Sequence, residues 1–147
     1  MAGVFSGTYS HSLDGKGRVI IPAVFREKLG TGFAITLNST IDALAVYPAP
    51  QWEALSQQLA SVRNTDDDAM DYRRHLLANA QADMDMDVQG RVLLPQPLRD
   101  AVDLTRDITF VGMLDFVEIW DAAAYAEKSR QTKLEFSRLR NHVKDNY

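Results

Sequence analysis

Cysteine is absent from the 147 residues. Disulfides, thiolate metal ligands and cysteine nucleophiles are excluded together. No apolar run approaches the roughly 20 residues that a membrane-spanning helix needs. Met1-Ala2-Gly3 opens the chain without the basic and apolar stretches of a secretory signal. The expectation is a soluble, cytoplasmic protein with no membrane partner. Catalytic signatures are missing as well: there is no G-x-S-x-G and no phosphate-binding P-loop. His11, His75 and His142 lack metal-ligand spacing. Asp83-Met84-Asp85-Met86-Asp87 has the alternating carboxylates of a calcium loop, but Val88 stands where the loop needs Gly and Leu94 where it needs Glu. No metal, cofactor or small-molecule substrate is expected. The five methionines read as core filler.

Hydrophobic residues make up 46% of the chain, enough for a packed core. The net charge of −4 hides a strong segregation. From Met1 to Gly30, Lys16, Arg18, Arg26 and Lys28 face Asp14 and Glu27, a net +2. From Arg63 to Asp87, seven aspartates face three arginines, a net −4. From Lys128 to Lys144, six bases face Glu135, a net +5. An acidic average therefore does not exclude nucleic acid.

The most informative presence is a repeat. Asp14-Gly15-Lys16-Gly17-Arg18-Val19-Ile20-Ile21-Pro22, followed by Arg26, returns as Asp87-Val88-Gln89-Gly90-Arg91-Val92-Leu93-Leu94-Pro95, followed by Arg99. The offset is 73 and runs without a gap to Tyr47 and Trp120, and to Trp52 and Tyr125. A copy of this size is too small for an adequate core of its own, so each is expected to complete the other in one pseudo-twofold unit. The boundaries expected are repeat 1 over 8–54, a helical connector over 55–79, repeat 2 over 80–126, and a basic C-terminal helix over 127–147.

Each copy reads as strand, turn, strand, short helix, strand, strand, helix. Tyr9, His11 and Leu13 alternate with polar residues, as do Met84 and Met86, the pattern of half-buried strands. Only the second glycine of the turn recurs, which fits a type I turn opened by Asp14 or Asp87 and closed by a left-handed Gly17 or Gly90. The aspartates are thus turn builders, their carboxylates accepting from a backbone N–H two residues on. Val19-Ile20-Ile21 and Val92-Leu93-Leu94 read as strands buried on both faces. Pro22 and Pro95 pre-set helices, the first running from Ala23 to Leu29 with Gly30 as its stop. Ile35–Leu37 and Ala45–Tyr47, with Ile108–Phe110 and Glu118–Trp120, read as the later strands. Trp52, Leu55 and Leu59 share a helical face. Thr65 with Asp68 resembles a capping box for a helix through Leu76 and Leu77. Tyr125, Thr132, Phe136, Leu139 and Val143 form one stripe on the last helix.

Asp-x-x-Gly-Arg-(apolar)₃-Pro, present twice with an arginine four residues past each proline, resembles the double SpoVT–AbrB motif of the MraZ family. Phe5-Ser6-Gly7 and the helix spacing also fit, and the resemblance covers nearly the whole chain, omitting Met1-Ala2-Gly3 and the extreme C-terminus. It implies an α+β fold with a mainly β core, a swapped-hairpin AbrB-like barrel formed by two half-barrels with flanking helices. It implies a bacterial, nucleoid-associated transcriptional regulator of the division and cell-wall gene cluster that represses its own promoter. The implied partners are double-stranded DNA carrying repeated promoter elements and further copies of the chain in a ring. Carried over residue by residue, Arg18 and Arg91 are the leading DNA contacts. Lys16 is a base in the first turn only, since Gln89 replaces it in the second. Arg26 and Arg99 match the motif too, but Glu27 and Asp100 beside them favour surface ion pairs.

An arginine on a stiff turn suits DNA, because its planar fork can bridge guanine O6 and N7 or grip a phosphate. A structural pair of Arg18 with Asp14 is the alternative on the residues alone. The basic tail reads as a phosphate contact, a partner for the acidic segment Asp66-Asp67-Asp68 and Asp71, or a solvated face. Two rival functions stay open at this point: an AbrB-like module that binds protein rather than DNA, and an enzyme whose arginines hold an acidic ligand.

Overall fold

The computed structural model describes residues 4–147; Met1-Ala2-Gly3, inspected above for a leader, lies outside them. The chain runs β1 (Thr8–Ser12), β2 (Arg18–Ile20), α1 (Ala23–Leu29), β3 (Phe33–Leu37), β4 (Leu44–Tyr47), α2 (Ala49–Ala60) and α3 (Asp67–Ala78). It then repeats with β5 (Gln81–Met84), β6 (Arg91–Leu93), α4 (Gln96–Ala101), β7 (Asp107–Gly112), β8 (Val117–Asp121) and α5 (Ala122–Leu134), and ends with α6 (Phe136–Asn146). The architecture is α+β, with antiparallel sheets at the core and helices flanking them.

The strands are exchanged between the copies. One sheet has the order β1-β7-β8-β4-β3-β5, and a second pairs β2 with β6. Swapping first-copy strands for their second-copy counterparts returns the same order read backwards. A pseudo-twofold axis therefore passes between β4 and β8 and through the β2–β6 ribbon, where Val19 faces Val92. Among the described residues no ladder joins the free edges of β1 and β5, so the six-stranded sheet is open rather than a hydrogen-bonded closed barrel. The two edges also differ: β1 holds a regular register on β7, while β5 shifts register on β3 beside Asp83, whose φ is +53.

Both copies fill one core. Val19, Ile21, Phe25 and Leu29 lie in the same buried cluster as Val92, Leu94, Leu98 and Val102, with the inner faces of β3, β4, β7 and β8. Each such side chain contributes about 1.5–3 kcal/mol on burial, and neither copy could gain this alone. Phe5 closes one end, its ring edge-on to Phe25 at 5.4 Å.

Three expectations are corrected. The apolar triplets are not buried on both faces: Val19 and Ile21 are buried but Ile20 is 41% exposed, and Val92 and Leu94 are buried but Leu93 is 55% exposed. The ribbon covers the core with one face only, so period two reasserts itself. The third helix is capped by Asp66, whose carboxylate accepts from Ala69 N at 3.1 Å, rather than by Thr65. The basic tail is not one helix, because the chain breaks at Glu135 and leaves Phe136 and Val143 exposed on α6. The helices α2 and α5 span positions 54/55 and 126/127, where the expected divisions of the chain fall.

Candidate nucleic-acid interface

Each turn is built as its residues dictate. Gly17 N donates to Asp14 O at 3.1 Å, and Gly90 N to Asp87 O at 2.9 Å. The glycines have φ of +81 and +80, the left-handed backbone that closes such a turn. Asp14 Oδ1 accepts from Lys16 N and Arg18 N, both at 2.9 Å, and Asp87 Oδ1 accepts from Gln89 N and Arg91 N at the same distance. The aspartates are turn builders in both copies.

Their second oxygens hold the arginines. Arg18 Nε donates to Asp14 Oδ2 at 2.7 Å, and Arg91 Nε to Asp87 Oδ2 at 2.7 Å. The arginine side chains are 33% and 31% exposed. The Arg18 backbone N–H, then its side chain, then the Lys16 N–H hold the Asp14 carboxyl at about 2, below its ordinary 3.8. The Asp87 carboxyl is lowered by the equivalent Arg91 and Gln89 groups. The structural pair weighed against a DNA role thus exists. It engages Nε alone, and among the described residues both Nη groups of each arginine lack a protein partner. The pair and a DNA role are compatible: the carboxylate fixes the guanidinium, and its outer edge stays available.

Arg26 and Arg99 have a different place. Neither forms the ion pair expected with Glu27 or Asp100. Arg26 Nε donates to Ile21 O and Arg99 Nε to Leu94 O, each at 2.9 Å. Each side chain then lies on the turn glycine of the other copy. A β-carbon built on Gly17 would meet Arg99 Cζ at 2.6 Å, and one built on Gly90 would meet Arg26 Nε at 2.5 Å. These arginines buttress the opposite turn, and hydrogen bonds from Ile21 N to Gly90 O and Leu94 N to Gly17 O, both 2.9 Å, complete the lock.

The ribbon register collects the outer groups. Arg18 faces Leu93 and Ile20 faces Arg91, while Val19 faces Val92 on the core side. Strand alternation therefore puts Arg18, Ile20, Arg91 and Leu93 on one outward face, with exposed Lys16 at the tip of the first turn.

The surroundings of the two turns are unequal. A concave surface beside the first is lined by Leu13, Asp14, Gly15, Arg99, Leu104, Thr105 and Arg106. No repetition marks Arg106 in the sequence, because its counterpart at the offset of 73 is Phe33. The second turn instead follows Asp83 and Asp85, where the first copy has Ser10 and Ser12. Asp85 Oδ1 accepts from Gly32 N at 2.9 Å, which gives this acid of the discarded calcium-loop pattern a structural use.

The family described as "MraZ protein, putative antitoxin-like" matches residues 4–75 and again 76–146. This chain belongs to the MraZ family. Proteins named "Transcriptional regulator MraZ" are similar over nearly the full length. That of Caldanaerobacter subterraneus subsp. tengcongensis is 38% identical over 141 residues, covering 96% of each chain. That of Desulfitobacterium hafniense strain Y51 is 40% identical over 130 residues, covering 88% of this chain and 90% of its own. That of Corynebacterium efficiens is 37% identical over 144 residues, covering 98% and 99%. The two matched segments of this MraZ-family chain divide at 75/76, inside α3, so the family repeat takes in the flanking helices as well as the strand motif.

Proposed function

We propose that this protein is a transcriptional regulator, not an enzyme, and that it binds double-stranded DNA through the outer face of the β2–β6 ribbon. The observation that carries the reading is the joint projection of Arg18 and Arg91 from that face, each fixed by an aspartate with its Nη groups unengaged. An antiparallel two-stranded ribbon fits a major groove, and a pre-oriented guanidinium loses little freedom on engaging guanine or phosphate. Family membership and the names of the relatives support regulation as the role. The targets the family implies are the division and cell-wall gene cluster and the protein's own promoter, with repression as the effect. In this reading the exchanged strands belong to the swapped-hairpin barrel, the protein works in the cytoplasm on the nucleoid, and Arg26 and Arg99 support the turns.

One chain presents few cations, and each phosphate neutralised adds only about 0.9 to the log–log salt slope on duplex DNA. Copies repeating the patch on a repeated DNA element would multiply affinity through effective concentration. Assembly into a homo-oligomeric ring is therefore part of the proposal.

The test is a mobility shift on the duplex upstream of the gene, across a salt series, with wild type, Arg18→Ala and Arg91→Ala. A lost bidentate guanine contact weakens binding roughly 5- to 150-fold. Unchanged affinity in both variants would remove the site assignment. A monomeric variant with full affinity would remove the need for assembly.

A further inference from the structure

Ile20 and Leu93 occupy outward-facing strand positions, where strand alternation over a covered core calls for polar side chains. They are 41% and 55% exposed, although the core beneath is already closed by Val19, Ile21, Val92 and Leu94. Their burial in this chain therefore gives no sufficient reason for two large aliphatics at equivalent places in both copies. They are also not scattered, since each stands directly across the ladder from an arginine: Leu93 from Arg18, Ile20 from Arg91. The face thus presents two arginine–aliphatic pairs related by the pseudo-twofold.

We propose that Ile20 and Leu93 are specificity-determining residues that contact thymine methyl groups in the major groove. The inference rests on the DNA-binding reading above and adds to it which bases the ribbon distinguishes. The thymine methyl is the apolar feature of the major-groove floor, and aliphatic side chains are its natural partners. Cross-strand neighbours lie about 5 Å apart at Cβ, and successive bases of a strand rise about 3.4 Å. An arginine seated on guanine therefore carries its aliphatic partner over the next base pair or the one after. The guanidinium supplies charge and hydrogen bonds, and the aliphatic rejects the polar edge of cytosine at that position. Donor complementarity favours DNA as the occupant of this face, because Arg18 and Arg91 stand across the ladder from the two side chains with only their Nε groups engaged by aspartates.

The experiment uses duplexes that the full-length wild-type protein selects from a random-sequence pool, with matched duplexes in which each thymine in turn is replaced by uracil. That change removes only the methyl. Wild type is expected to weaken about 4-fold per methyl contacted, the worth of one buried methyl-sized group, at thymines within two base pairs of a selected guanine. Ile20→Ser and Leu93→Ser are expected to bind the thymine duplex as wild type binds its uracil form, and to ignore the exchange. Wild type indifferent to every uracil replacement would overturn the proposal without relying on any protein variant. Serine variants that keep full thymine sensitivity would overturn it too. So would serine variants that change the sedimenting mass while selecting the same duplexes, because the face would then join copies of the chain. If the pool yields no preferred duplex, or Arg18→Ala and Arg91→Ala select and bind as wild type does, the underlying DNA reading falls as well, which separates the two failures.

Discussion

The guanidinium of Arg26 covers Gly90, a residue 64 positions later in the other copy, closely enough that a β-carbon there would stand 2.5 Å from Nε. Arg99 covers Gly17 in the same way. Each turn is thus held by its own aspartate from inside and by the opposite copy's arginine from outside. Gly17→Ala or Gly90→Ala meets both a left-handed backbone and an occupied space. The expected loss is about 1–3 kcal/mol by urea denaturation. Gly15→Ala is the control, because nothing lies within 4 Å of a β-carbon there. Adding Arg26→Ala to Gly90→Ala should relieve the clash and leave the backbone cost. Equal stability of the Gly15 and Gly90 variants would refute this account.

Because both copies fill one core, they should unfold together. Leu94→Ala empties a fully buried position and should cost about 2–5 kcal/mol. A single cooperative transition by circular dichroism and by tryptophan fluorescence is expected. Two separated transitions would show independent halves.

Acid stability should report the turns. The Asp14 carboxyl sits at about 2 in the folded protein against an ordinary 3.8. A carboxyl depressed on folding contributes stability that is complete above its unfolded value and is lost as pH falls through the folded one. The Asp14 contribution should therefore fade between about 4 and about 2, with Asp87 shifting in the same direction. Asp14→Asn and Asp87→Asn should flatten stability in that window, as measured by urea midpoints at stepped pH.

His11 should act at higher pH. Burial first, and the Arg26 charge second, lower its value from the ordinary 6.5. A base depressed on folding stabilises the folded state above its unfolded value, and that contribution is lost as pH drops below about 6.5 towards the folded value. His11→Gln should remove this component of the slope. The ring's edge-on approach to Phe110 at 5.5 Å would be lost with it, at a cost visible at every pH.

The two turns should read DNA unequally. Lys16 and Arg106 lie at the first, where the other copy has Gln89 and Phe33, while Asp83 and Asp85 precede the second. Arg18→Ala should weaken binding more than Arg91→Ala. Lys16→Gln should lower the log–log salt slope by about 0.9 if the lysine meets a phosphate, and Gln89→Lys should raise it by a similar amount. Equal losses in the two arginine variants and unmoved slopes would mean that the local charges do not matter.

Much of this was legible in the residues. Asp14, Gly17 and Pro22, with their counterparts, encode a turn, its closure and a helix start through local backbone chemistry, which needs no distant partner. The first helix accordingly ends where Gly30 stops it. Where the structure departs from local expectation, the causes are non-local. Ile20 and Leu93 look like core by composition, yet which face meets the core depends on what packs beneath the ribbon. Glu27 and Asp100 are the sequence neighbours of Arg26 and Arg99, but those side chains turn towards a strand carbonyl and the other copy's glycine. Arg106 carries no signal in the sequence, because only the fold brings it beside the first turn.

The sequence by itself determined that the chain is a duplication, that each copy opens with the same aspartate-braced turn, and that an arginine follows each one, because turn chemistry and short-range periodicity are written within about ten residues. Tertiary structure decided that β1 crosses to β7 and β5 to β3, that each turn is locked by the other copy, and that Arg18, Ile20, Arg91 and Leu93 meet on one face. The reason is physical. Neither copy can bury its apolar strand alone, so the strands pair across the repeat, and that pairing, which no local pattern specifies, brings the two arginines onto a common surface.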